Sequence, residues 1–349
     1  MTGRTFLHPA FDYLVIGGGL SLVVTLVLLL PAHQPLQHAL APAMPLLLFL
    51  VNLSHFASST VRLYTKPRAF EEHAFLTMAL PLLTLAVLVV AIAFAERLGS
   101  HLMNLYLTWS PYHYAAQAYG LAVMYCYRSG VQIDDRDRRL FRAACLAPFL
   151  YAFLKGPGVG IEWLLPWQVL GEPHVDAARQ VLKAAMAAAA ALLPPALYLR
   201  ARARGRPLPL ISLLVIVSNA VWWLVLLYVD AFAWATVFHG LQYLAIVTIF
   251  HVQERLRLPG NARRAGHHAA IFLLASVALA YLLFHAWPYA FVLAGFGPVE
   301  SVMLVVATVN IHHFVVDAYI WRLRRDVNYR TVTAGAGRPL AQGEAVGAL

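Results

Sequence analysis

Apolar runs of about 20 residues recur along this chain, the length that carries a helix across the hydrocarbon of a bilayer, and the turns between them are short and often rich in arginine. A water-exposed domain could not hide such runs. Of the 349 residues 61% are hydrophobic and 12% charged, too few polar groups to cover a soluble surface. The expected fold class is an all-α integral membrane protein, a bundle of about ten transmembrane helices. The spans fall near 12–31, 42–63, 74–95, 102–127, 141–156, 181–200, 208–228, 231–252, 269–287 and 299–321. The fifth is short, and "KGPGVGIEWLLPWQ" beyond it reads as a re-entrant or interfacial segment within 156–180.

The basic residues orient these spans. Arg62, Lys66 and Arg68 follow the second; Arg128, Arg136, Arg138, Arg139 and Arg142 the fourth; Arg200, Arg202, Arg204 and Arg206 the sixth. Arg255, Arg257, Arg263 and Arg264 follow the eighth, and Arg322, Arg324 and Arg325 the tenth. On the other side, 32–41, 229–230 and 288–298 hold no Lys or Arg, while Arg97 and Arg179 break the pattern. The positive-inside rule then puts both termini in the cytoplasm. The chain reads as a multi-pass protein of a bacterial cytoplasmic membrane, with one helical domain over 1–330 and a disordered cytoplasmic tail over 331–349. The formal charge of +10 serves topology, so nucleic acid is not an expected partner. Cys126 and Cys145 are expected as free thiols. "GGG" at 17–19 suggests close helix packing, and Trp109, Trp222, Trp223, Trp234, Trp287 and Trp321 suggest interfacial belts.

Against this apolar background, "NIHHFVVDAYIW" at 310–321 places an asparagine, two histidines and an aspartate inside a span. Span two carries Asn52, His55, Ser58, Ser59 and Arg62; span four Ser110, His113 and Gln117; span eight His239 and Gln242. These four spans are even-numbered and run in the same direction, so His55, His113, His239 and His313 share the cytoplasmic half. Helical spacing puts Asn52, His55, Ser59 and Arg62 near one face, and Asn310, His313 and Asp317 on another, with His312 about 100° away. "NLSHF" at 52–56 echoes "NIHHF" at 310–314 and picks His313 over His312 as the counterpart of His55.

Ionisable groups inside a bilayer are costly and mark a site. The expected ligands of a metal are His55, His113, His239, His312, His313 and Asp317. Asn52, Gln117, Gln242 and Asn310 are expected to hold the ligands' second nitrogens, since a metal-bound imidazole usually donates its other N–H. Arg62 is read as a snorkelling anchor with a possible lipid head-group role. Imidazole suits iron, copper and zinc; iron is the expected cofactor, with copper, zinc or haem compatible.

Histidines drawn from separate transmembrane helices resemble the metal centres of membrane oxygenases. The HxxxH and HxxHH boxes of alkane hydroxylases and fatty-acid desaturases do not occur here. In plan the chain is more similar to the Brp/Blh-type carotene-cleaving enzymes, polytopic helical proteins whose iron is held by histidines from several helices; the similarity is one of architecture, with no motif shared residue by residue. It implies an iron-dependent oxidoreductase, an oxygenase or hydroxylase, acting on a hydrophobic lipid-like substrate, with membrane lipid as the other partner. Two further readings are a transporter or proton-coupled permease with a His/Asp pathway, and a b-type haem protein. The oligomeric state is left open.

Overall fold

The apolar runs named above are largely helical where the structure describes them, the first of them broken at Gly17–Gly18. The structure, a computed structural model, describes residues 3–30, 35, 39–155, 159–229, 231–321 and 332. The expected tail, 331–349, lies outside these apart from Val332, as do His33, His38, Pro157, Asp230 and the last arginine cluster. Among the described residues the protein is all helical, without strands.

Among the described residues six helices are long and apolar enough to cross a membrane: Ala41–Tyr64, Phe75–Ala93, Pro173–Ala203, Phe232–Leu256, Ala265–Leu293 and Pro298–Ile320. A seventh is gained if the bent pair Pro9–Ile16 and Gly19–Leu28 counts as one span. Ser100–Arg128 and Asp135–Lys155 are long but carry more polar residues, and Leu210–Leu226 is shorter. The chain is thus a helical membrane protein. Phe75–Ala93 shows the logic: Leu80, Leu88, Ala91 and Ile92 are buried, while Leu82, Leu83, Val89 and Val90 are exposed. So many exposed aliphatics on one helix fit hydrocarbon, not water.

The chain divides into two compact units, each described by itself. The first is built from Met1–Met44 and Ser110–Gln242, the second from Pro45–Trp109 and Tyr243–Arg322. In the first, Tyr114, Trp222, Trp223, Leu226 and Phe238 form the main apolar cluster. Trp222 and Trp223 are therefore interior residues and do not belong to an interfacial belt; Trp222 Nε1 donates to Ser21 Oγ at 2.9 Å. Asp134 caps the helix Asp135–Lys155, accepting from the Asp137 N–H at 2.7 Å. That bond, ahead of the Arg204 charge, holds its carboxyl below the usual range. Cys126 and Cys145 are buried free thiols.

The "GGG" stretch does more than pack. Gly18 has φ +82°, and the helices on either side of it meet at a 54° bend. A Cβ at Gly18 would strike the Ser218 side chain, so both conformation and space require glycine there. The carbonyls freed by the break are met from within the unit: Gln242 Nε2 donates to Ile16 O at 2.8 Å and Ser218 Oγ to Gly17 O at 3.2 Å.

In the second unit Phe56, Leu88, Ile92, Phe284, Leu304, Val305 and Phe314 form the core. Phe56 and Phe314 are the phenylalanines of the two echoing sequences, and they lie in this one cluster.

Candidate functional site

Helix Pro298–Ile320 begins with Pro298 in its first turn, where a missing N–H costs nothing. Its buried side runs through Leu304, Thr308, His313, Asp317 and Ile320, and the three- and four-residue steps between these last positions keep one face inward. His313 is 1% exposed, whereas His312 is only half-buried. Helix Ser54–Tyr64 follows a wider helical stretch, Leu48–Leu53, and buries His55, Ser58, Ser59 and Arg62. Asn52 lies inside that wider stretch, where bonds run i→i+5. The 3.6-residue spacing does not carry across it, and Asn52 is half-buried where His55 is fully buried.

These helices and Phe232–Leu256 assemble a polar chain in the second unit. Ser59 Oγ lies 2.9 Å from His313 Nδ1. His313 Nε2 lies 3.4 Å from Asp317 Oδ2. Tyr243 donates its hydroxyl to Asp317 Oδ1 at 2.5 Å, and Trp321 Nε1 donates to the Tyr243 oxygen at 3.3 Å. The His55 ring sits edge-on to His313, with centroids 4.5 Å apart and planes at 86°. All of this except the half-buried Trp321 is buried, beside Phe56, Val247 and Phe272.

Proton counting sets what these atoms can do. Ser59 has one hydroxyl proton and two acceptors in reach, the Phe56 carbonyl at 3.0 Å and His313 Nδ1. If Phe56 takes it, Nδ1 is the donor to Ser59, and Nε2 turns a lone pair toward Asp317 Oδ2. Two lone pairs facing each other at 3.4 Å need either a proton or a metal ion between them. If Nδ1 takes it, Nε2–H points at Asp317, and Ser59, His313 and Asp317 line up as in a nucleophile triad. Ser59 lies within the helix Ser54–Tyr64, whose N–H groups are used by its own ladder. That helix therefore offers no donor pair to an oxyanion, and the first arrangement is the one in which Nε2 and Oδ2 can both serve as ligands.

Arg62, expected near head groups, is fully buried. Its guanidinium pairs with Glu254 at 2.9 Å and lies over the Trp321 ring at 4.4 Å and the Phe250 ring at 5.3 Å. Its charge is thus met inside the protein.

In the first unit His113 and His239 are both buried, and each offers a ring nitrogen within 4.8 Å of the other's. Their rings meet edge to face at 5.2 Å, and Tyr114 stacks on His239 at 3.7 Å. Gln117 Nε2 donates to the His239 carbonyl at 3.3 Å and to Gln242 Oε1 at 3.4 Å. The two glutamines thus hold backbone and the broken helix. Asn310 Nδ2 donates to Val306 O at 2.7 Å, and the Oδ1 atoms of Asn52 and Asn310 are buried with no hydrogen-bond partner among the described residues.

Sequence reading missed Tyr243 and gave Ser59 no role. Both left a signal: Tyr243 follows His239 by one helical turn, and Ser59 follows His55 by one. No family model, curated protein or solved structure matches the chain.

Proposed function

We propose that this protein is a metal-dependent membrane enzyme, an iron oxygenase or hydroxylase acting on an apolar, lipid-like substrate. The observation that carries the reading is the 3.4 Å approach of His313 Nε2 to Asp317 Oδ2. Metal–nitrogen and metal–oxygen bonds of about 2.0–2.2 Å place neighbouring ligand atoms roughly 3–3.5 Å apart. His313 and Asp317 would hold the ion with His55 beside them, and Ser59 would fix the His313 tautomer from its other nitrogen. The ion would supply redox chemistry and an open position for dioxygen. The residues around it supply a dry, apolar surrounding that suits a substrate arriving from lipid. His113 and His239 offer a second imidazole pair of the same donor class.

Two observations weigh against the other readings. Imidazoles on opposite faces of one haem iron stand roughly 6 Å apart, given metal–nitrogen bonds of about 2.0 Å, and share an axis. The His55–His313 and His113–His239 pairs are closer and edge to face, at 4.5 and 5.2 Å. The broken helix at Gly18 would suit a transporter, but its freed carbonyls are bonded to Gln242 and Ser218.

The test is metal analysis with an absorption spectrum on protein purified without chelators. Iron at about one ion per chain is expected, and protein without stoichiometric transition metal would sink the proposal. Metal content after His55→Ala, and separately after His239→Ala, then counts the ions. In this proposal all ten runs cross a cytoplasmic membrane with both termini inside, as the alternating arginines support. Reporter fusions within 134–139 should be cytoplasmic; an external signal there would refute the topology.

A further inference from the structure

We infer that Tyr243 is a positioning residue of the metal centre: its hydroxyl occupies one oxygen of Asp317 and leaves the carboxylate a single oxygen for the ion. This rests on the metal reading above and adds a residue and a coordination mode to it. The carboxylate is divided between two neighbours. Oδ1 accepts from the Tyr243 hydroxyl at 2.5 Å, and Oδ2 faces His313 Nε2 at 3.4 Å. A carboxylate free at both oxygens can clamp an ion with both; one held this way binds through Oδ2 alone.

The phenol is itself held by its neighbours. Its oxygen accepts from Trp321 Nε1 at 3.3 Å, which turns its own proton toward Asp317. Its ring lies edge-on to His55 at 4.8 Å and to His313 at 5.4 Å. Trp321 is fixed in turn by the Arg62 guanidinium over its face and by the Phe250 ring at 5.1 Å. Tyr243 is 2% exposed and packs with Val247 and Phe272. A buried phenol needs some partner, and a backbone carbonyl would serve that need. Here the partner is a carboxylate that also faces an imidazole nitrogen.

Tyr243→Phe removes the oxygen and keeps the ring packed on both histidines, which isolates the hydroxyl's role. The probe is Co²⁺, titrated into metal-stripped full-length protein and followed by its visible absorption. Wild type should bind it with the intense bands of a low-coordinate site. Tyr243→Phe should bind about 10–100-fold more weakly, the usual effect of losing an outer partner of a ligand. Its bands should also be weaker, because Asp317 becomes free to clamp with both oxygens and coordination rises. Trp321→Phe should shift the spectrum the same way by a smaller amount, and it keeps the test alive if Tyr243→Phe does not fold. Equal affinity with an unchanged spectrum in the folded variants would overturn the role of Tyr243, as would a fall in thermal stability alone. Wild-type protein that binds neither Co²⁺ nor iron would instead overturn the metal reading.

Discussion

Replacing His313 with alanine should strip the purified protein of most of its metal, a loss larger than the roughly 10–100-fold that an outer partner contributes. The reason is the double engagement of this ring: Nδ1 is held by Ser59 at 2.9 Å while Nε2 faces Asp317 at 3.4 Å. Alanine removes the ligand and leaves Asp317 buried beside Tyr243 without the imidazole. His312→Ala is the matched control. His312 is the adjacent residue of the same helix, about 100° around it, and only half-buried; metal content should stay at the wild-type level. Metal analysis on both variants checks this. Equal metal in the two would remove His313 from the site, and loss in both would show that the helix, rather than one ring, is being read. His313→Gln, which keeps a polar side chain of similar reach, separates a folding defect from loss of a ligand.

That contrast was legible in the sequence because it depends on regular α-helix. The echo of "NLSHF" and "NIHHF" and the 3.6-residue period both select His313, and helix Pro298–Ile320 is regular from Gly297 to Trp321. Where the helix departs from that period, the reading from sequence loses its phase. Asn52 falls in the wide stretch Leu48–Leu53, so its expected alignment with His55 does not carry through. Spacing pairs Gln242 with His239, yet its amide reaches Ile16 across 226 positions of sequence. Nothing in residues 239–242 announces a broken helix elsewhere. Trp222 and Trp223 look like belt residues by type; what places them inside is packing against Tyr114, Phe232 and Ser21. Tyr243 was hidden for a similar reason. A tyrosine in an apolar run is ordinary until the carboxylate opposite it is known. The span count differs too: about ten runs are readable as helices, but polar residues on Ser100–Arg128 and Asp135–Lys155 keep those two from qualifying as membrane spans on length and composition alone.

The largest loss of stability in the first unit is expected from Asp12→Ala. Asp12 is fully buried, and its carboxylate gathers donors from two parts of the chain. Oδ2 accepts from the Phe6 N–H at 2.5 Å and the Tyr125 hydroxyl at 2.8 Å; Oδ1 accepts from the Leu7 and His8 N–H groups at 3.1 and 3.2 Å. Alanine leaves those donors facing a small apolar gap. Each buried donor left unmade costs about 1–3 kcal/mol, and the Leu7 and His8 groups, being only part-buried, regain some bonding from water. A total of about 3–5 kcal/mol follows, the range for breaking one side of a buried charged network. Asn keeps one acceptor oxygen in nearly the same shape, so Asp12→Asn should fall between wild type and alanine. Tyr125→Phe, which deletes a single donor and leaves the carboxylate its backbone partners, should cost about 1 kcal/mol. The ranking, read from thermal unfolding in detergent, is the check; alanine no worse than Tyr125→Phe would show that the carboxylate is not what fastens this end of the chain. The consequence reaches further than the loop. Asp12 opens the short helix that ends at Ile16, whose carbonyl holds Gln242, and Gln242 in turn accepts from the Gln117 amide that also bonds the His239 carbonyl. Loosening Asp12 should therefore be felt at the His113–His239 pair, by a route made of hydrogen bonds that each have a named donor and acceptor.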